Sequence, residues 1–198
     1  MQSLSNSLFL ILNAPEHPPT AALMVATILA QYTILLIPLL LVIGWLRGER
    51  DVRVSLLQAA TAGVLALLIA QLICLVWPTP RPFMIGVGHQ FLAHASDPSF
   101  PSDHLTLWWS VAFSLMLQAH TRATGILLAI AGLPVAWARI YLGVHFPLDM
   151  AGAMALGAIS ATVAQRGRHW LAGAPYALAT GLYHSVFGAA IRRGWLPR

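Results

Sequence analysis

The sequence predicts an all-α polytopic membrane protein with about five transmembrane helices and short interfacial helices at the N- and C-termini. Three observations carry this. Hydrophobic types make up 58% of the 198 residues and charged types only 9%, where an ordinary soluble domain has about 45–50% and about 25%. Mean hydropathy is +0.74. The apolar residues also fall in long uncharged runs separated by short polar links. A soluble domain of this length could neither bury so much apolar surface nor solvate itself with so few charges. A soluble globular enzyme and a disordered chain are therefore excluded.

The elements follow in order. Residues 1–13 carry no basic segment, so no cleavable signal peptide is expected. They read instead as a short interfacial helix presenting Leu4, Leu8, Phe9, Ile11 and Leu12, ending near Asn13-Ala14-Pro15. The first span is about 21–46, uncharged, long enough for a ~30 Å hydrocarbon core, with Pro38 as an expected kink. A polar link, RGERDVR, leads to the second span, 54–77. The longest polar stretch, 78–103, is rich in Pro, Gly, His and Ser. The third span is expected at 102–119, the fourth at 123–138 with Pro134 inside it, and the fifth at 147–164. Pro147 opens the fifth at the helix start, where its missing N–H costs nothing. The basic tail contains one more apolar segment, 176–191. It reads as an interfacial helix, because a sixth span would send Arg192 and Arg193 to the other side. Residues 1–198 thus form one membrane-embedded domain.

Charge placement orients it. Net charge is +5, all eleven basic residues are arginine, and there is no lysine. They are too few and too scattered for a nucleic-acid footprint. With five spans, nine of the eleven fall on one side, at 47, 50, 53, 122, 166, 168, 192, 193 and 198. By the positive-inside rule that side is cytoplasmic. The other side keeps only Arg81 and Arg139, in or beside the two loops that share the outer face. A pair of arginines there points to an anion. The single Cys74 excludes an intramolecular disulfide and a cysteine-rich metal site.

The same two loops carry the chemistry. One supplies Arg81-Pro82, His89, His94, Asp97 and the run SFPSDH ending at His104; the other, ARIYLGVHFPLD, supplies Arg139, His145 and Asp149. Two arginines, two histidines and a carboxylate suit phosphoryl transfer without a metal or other cofactor. Arginine forks neutralise phosphoryl oxygens. One imidazole can attack phosphorus while the other protonates the leaving oxygen, and a carboxylate can hold the attacking ring in one tautomer. Pro147 places His145 just before a helix with Asp149 in its first turn.

Each piece is weak alone; the joint spacing is specific. Arg-Pro, Pro-Ser-x-His and Arg-x5-His-x3-Asp resemble the type-2 phosphatidic acid phosphatase superfamily, whose signature is Lys-x6-Arg-Pro, Pro-Ser-Gly-His and Ser-Arg-x5-His-x3-Asp. The resemblance implies His145 as nucleophile, Asp149 as its partner and His104 as acid and later base. It implies Arg81, Ser102 and Arg139 as phosphate-binding residues, with Asp103 standing in that set where the signature has glycine. Cys74 replaces the signature lysine and Ala138 the serine before the arginine. With RPFMIGVGHQFLAHASDPSFPSDH, ARIYLGVHFPLDMAGA and IRRGWLPR, the chain resembles undecaprenyl-diphosphate phosphatases of the bacitracin-resistance type. That branch implies undecaprenyl diphosphate as the lipid partner, a multi-pass protein of the bacterial inner membrane, and a site facing the periplasm. A carboxylate beside a phosphate repels it, so Asp103 is expected to point away, toward an arginine or a backbone N–H.

Other readings stay open at this level. A related phosphatase or phosphotransferase acting on lipid A, phosphatidic acid or phosphatidylglycerol phosphate would use the same residues. His89, His94, Asp97, Asp103 and His104 lie close enough in sequence to ligate a divalent ion, although two arginines would compete with it. A transporter is disfavoured by spans free of charge in their middles. His89 and His94 read as loop histidines hydrogen-bonded near the headgroups. Trp45, Trp77, Trp108 and Trp109 read mostly as an aromatic belt, with Trp108 and Trp109 as candidates to line the path of the lipid.

Overall fold

The computed structural model describes residues 2–197, with side chains from residue 5 onward. The Leu4 side chain and Arg198 lie outside the described residues. The helices are α1 (Gln2–Leu12), α2 (Thr20–Arg47), α3 (Arg50–Val76), α4 (Asp103–Met116), α5 (Arg122–Tyr141), α6 (Pro147–Arg166), the single turn α7 (Arg168–Leu171) and α8 (Ala174–Arg192). There is no strand among the described residues. Four of the helices, α2, α3, α5 and α6, are long and apolar enough to cross a membrane. Their lipid-side residues are exposed leucine, isoleucine and valine, among them Leu39, Leu68, Leu127 and Ile159.

The third expected span differs in length. α4 has 14 residues, about 21 Å at 1.5 Å per residue, and is shorter than a ~30 Å hydrocarbon core. It stops at Met116 because the chain turns at 117–121, where the Thr121 hydroxyl donates to the Leu115 carbonyl at 2.9 Å. α4 is the central helix and packs against α3, α5 and α6. Trp108 and Trp109, at 2% and 1% exposure, lie inside it rather than in a belt or on a lipid path. Their indole N–H groups donate to the Leu128 and Ala129 carbonyls of α5 at 2.7 and 3.2 Å. Buried tryptophan needs such partners, and the small residues of α5 admit the rings. Small residues also let the helices approach: a Cβ on Gly125 would lie 2.2 Å from the Met116 nitrogen.

α2 is not regular. Its turn Ile28–Tyr32 is widened into a π-helix and Thr33–Leu35 tightens to 3-10 geometry. Pro38 lies just beyond. It cannot donate to the Ile34 carbonyl and its ring crowds it, so the ladder is disturbed on its N-terminal side.

The two ends of the bundle are chemically distinct. At one end Gln58, Gln118, Gln165 and Arg168 form a closed polar cluster. Gln58 donates to Gln165 at 3.0 Å, Arg168 donates to Gln58 at 2.9 Å, and Gln118 and Arg168 also pair. Nearby, buried Arg53 lies over the Trp45 and Tyr183 rings, at 5.7 and 4.5 Å. This ties α8 to the ends of α2 and α3. The other end holds the loops 78–102 and 142–146. α1 lies there: Phe9 is buried edge-on against Phe146 with centroids 5.3 Å apart, while Leu8 and Ile11 are exposed. Asn13 clasps the loop through the His89 carbonyl and the Tyr141 carbonyl, at 2.9 and 3.0 Å.

Candidate active site

The second loop is set by the start of α6. Pro147 is its first residue, and the Asp149 carboxylate accepts the Phe146 N–H at 2.8 Å. This leaves His145 just outside the helix. Gly143, with φ of +79°, makes the turn that delivers it; a Cβ there would stand 2.1 Å from the His89 carbonyl oxygen. His145 is 1% exposed. Its Nδ1 lies 3.1 Å from Asp149 Oδ2. Asp149 Oδ2 also accepts the Ser99 hydroxyl at 2.5 Å. The carboxylate thus has three donors on one oxygen, which fixes the His145 tautomer with Nδ1–H toward Asp149 and the Nε2 lone pair outward.

Both arginines converge on Nε2. Arg81 Nη1 is 3.0 Å from it and Arg139 Nη2 is 3.3 Å from it. Arg81 follows α3 directly and pins its loop. Its Nε pairs with Asp97 Oδ1 at 3.0 Å, Nη2 donates to the Pro98 carbonyl at 3.2 Å, and Nη1 donates to the Val144 carbonyl at 2.9 Å. Arg139 comes from the last turn of α5. Its Nη1 donates at 3.0 Å to the Ala30 carbonyl, inside the π turn of α2. Turns of this kind recur at functional sites. Arg139 Nε and the Ser102 hydroxyl are buried without a partner among the described residues. Both can donate, and phosphoryl oxygens are strong acceptors.

Burial, reinforced by the Arg139 and Arg81 charges, holds the His145 imidazole well below its ordinary 6.5. It is neutral at physiological pH, the form a nucleophile needs. His104, in the first turn of α4, is half-buried. Its imidazole makes no hydrogen bond among the described residues.

Asp103 does not turn to an arginine or a backbone N–H. Its two oxygens lie 3.3 and 3.2 Å from the Gln71 amide nitrogen of α3. Cys74 Sγ sits 3.5 Å from the Phe100 carbonyl and supplies no cation.

The sequence did not single out Ser99, and it named Asp97 and His94 without the contacts they make. Ser99 is fully buried against Asp149. Asp97 anchors Arg81. His94 is not merely a headgroup histidine: its Nε2 is 3.3 Å from Arg139 Nη2, and its ring stands edge-on to His145 with centroids 6.1 Å apart. Burial and then the Arg81 charge lower the His94 imidazole. The available signal was proximity in sequence to SFPSDH, but an irregular loop has no periodicity to say which residues face inward. His89, in contrast, serves the clasp to Asn13 through its backbone, its N–H donating to Asn13 Oδ1 at 2.7 Å. No group of three or more His, Cys, Asp or Glu able to hold a metal forms among the described residues.

An imidazole held by a carboxylate and flanked by two buried arginines, at one end of a helical bundle, has the make-up that phosphoryl transfer requires. The model of the PAP2 superfamily matches residues 55–172, and the chain belongs to that superfamily: it is a multi-pass membrane protein and a lipid phosphatase. Among its relatives, YbjG of Escherichia coli (strain K12), named provisionally as an undecaprenyl-diphosphatase, is 34% identical over 99% of this chain and 98% of its own length. Undecaprenyl-diphosphatase BcrC of Bacillus subtilis (strain 168) is 32% identical over 79% of this chain and 80% of its own. Two crystal structures share the fold. Aquifex aeolicus LpxE has a TM-score of 0.61 at 23% identity, covering 81% of this chain and 93% of that one. A PAP2-type phosphatidylglycerolphosphate phosphatase from Bacillus subtilis has a TM-score of 0.60 at 23% identity, covering 86% and 87%.

Proposed function

We propose that this protein hydrolyses undecaprenyl diphosphate to undecaprenyl phosphate and inorganic phosphate through a phosphohistidine on His145. The observation that carries the reading is His145 itself, with Nδ1 on Asp149 and Nε2 between Arg81 and Arg139. The substrate class is supported by the names of relatives aligned over most of the chain.

The terminal phosphoryl group takes the place at Nε2 that the two guanidinium groups now crowd. Arg81, Arg139 and Ser102 hold its non-bridging oxygens. Nε2 attacks phosphorus, the bond to the bridging oxygen breaks, and His104 gives that oxygen a proton. Asp149 stabilises the positive charge left on the His145 ring. Neutral His104 then takes a proton from water, the water oxygen attacks phosphorus, and the P–N bond breaks to release phosphate and free His145. The departing lipid phosphate is a better leaving group than an alkoxide. This suits a pocket with Cys74 where the signature has lysine.

The protein crosses the bacterial inner membrane five times, α4 serving as the third pass, with α1 and α8 at the two interfaces. α2 to α6 run alternately between the two ends. Eight described arginines, at 47, 50, 53, 122, 166, 168, 192 and 193, belong to the end away from the site. That end is cytoplasmic, so the site faces the periplasm. The test is phosphate release from undecaprenyl diphosphate by protein in detergent with EDTA, for wild type and His145→Ala. Release in the wild type alone is expected. Release abolished by EDTA, or surviving in the variant, overturns the reading.

A further inference from the structure

The burial of the site residues gives the substrate a direction. His145, Arg81, Arg139 and Ser102 are buried, while His104 and Asp103, next along α4, are half-buried and Gln71 is exposed. A phosphoryl group seated at His145 therefore leaves the rest of its molecule passing His104 toward Asp103 and Gln71. Gln71 is a polar residue on the outer surface of a helix whose neighbours there, Leu68, Leu72 and Leu75, are exposed and apolar. Its amide has one recorded partner, the Asp103 carboxylate, with both oxygens within 3.3 Å of a single nitrogen. The carboxylate is thus held by Gln71 at the first turn of α4, beside His104 and on the path of the leaving group.

We propose that Asp103, positioned by Gln71, is a release residue: a fixed negative charge that drives the lipid monophosphate product out of the site. The inference rests on the diphosphatase reading above. In a diphosphate the inner phosphate is a diester-like monoanion. When its bridging bond breaks it leaves with the proton from His104 as a monoester monoanion, and loss of that proton to water gives it a second negative charge beside Asp103. Repulsion is greater after cleavage than before it. A leaving alcohol from a lipid monoester would stay neutral and feel no such push. This gives a use to a carboxylate that otherwise only weakens an anion pocket.

The experiment measures product inhibition by undecaprenyl phosphate, with uncharged undecaprenol as control, in detergent micelles for wild type, Asp103→Asn and Asp103→Gly. Both variants are expected to bind the monophosphate at least about fivefold more tightly, the size of one like-charge contact in a fully water-like dielectric. The difference should shrink at high salt, and inhibition by undecaprenol should not move. The Gly variant guards against a replacement amide making a new bond. Monophosphate inhibition that is unchanged or weaker in both variants overturns the proposal, as does a parallel shift with undecaprenol. Should the wild type release no His145-dependent phosphate from the diphosphate, the functional reading fails instead.

Discussion

Ser99→Ala separates a merely packed serine from one that positions the nucleophile. Ser99 is fully buried and gives Asp149 Oδ2 one of its three donors, the others being the Phe146 N–H and His145 Nδ1. A hydrogen bond to a charged group is worth about 1.5–3 kcal/mol. At about 1.36 kcal/mol per factor of ten, its full loss from the transition state sets a ceiling of roughly 10- to 150-fold. Two donors survive on Asp149, so the fall should lie at the lower end, about tenfold. It should appear in kcat, because Asp149 must stabilise the charge that His145 acquires only as it is phosphorylated. KM should hold, since Ser99 has no recorded contact with either arginine. The assay is single-turnover phosphate release from undecaprenyl diphosphate, beside thermal unfolding in the same detergent. An unchanged kcat, or a fall in KM-dependent binding alone, would refute the positioning argument.

Two further outcomes follow from the same geometry. The folded His145 imidazole is held below its ordinary value by burial and the two arginines, so just below pH 6.5 the unfolded chain binds more protons than the folded one. Its contribution to stability is complete above that pH and declines as pH falls toward the folded value; activity should likewise persist below pH 6.5. Thermal unfolding against pH for wild type and His145→Gln checks this, and identical slopes would contradict it. Gly125→Ala places a Cβ 2.2 Å from the Met116 nitrogen and 2.6 Å from the Ala112 carbonyl oxygen. Forcing α4 and α5 apart should cost about 1–3 kcal/mol, read as a lowered Tm, and an unshifted Tm would show that the helices have room.

Much of the architecture was legible because a lipid-facing helix is written as a long uncharged run. Hence α2 (Thr20–Arg47) lies close to the expected 21–46, and α3 and α5 close to their runs. The spacing of Arg81, His104, Arg139, His145 and Asp149 was legible for a different reason: chemistry demands those residue types at helix ends, and the ends were marked by Pro147 and by Pro-Ser-x-His. Periodicity was silent wherever burial comes from neighbours instead of lipid. α4 is enclosed by three helices, so its 14 residues and its inward tryptophans could not be read from an apolar run that looks the same whether it faces protein or lipid. The loop 78–102 has no repeat at all. Only its closure over Arg81 decided that Ser99 and His94 face the site while His89 holds Asn13. The partner of Asp103 was likewise a tertiary decision, since Gln71 lies 32 residues away and meets it only because α3 and α4 pack side by side. The sequence by itself thus determined the apolar membrane-spanning helices and the residue types that meet at the site, because these are properties of residue type and local spacing. The tertiary structure decided which polar side chains hold those groups in place, because contact between distant segments has no signature in either one alone.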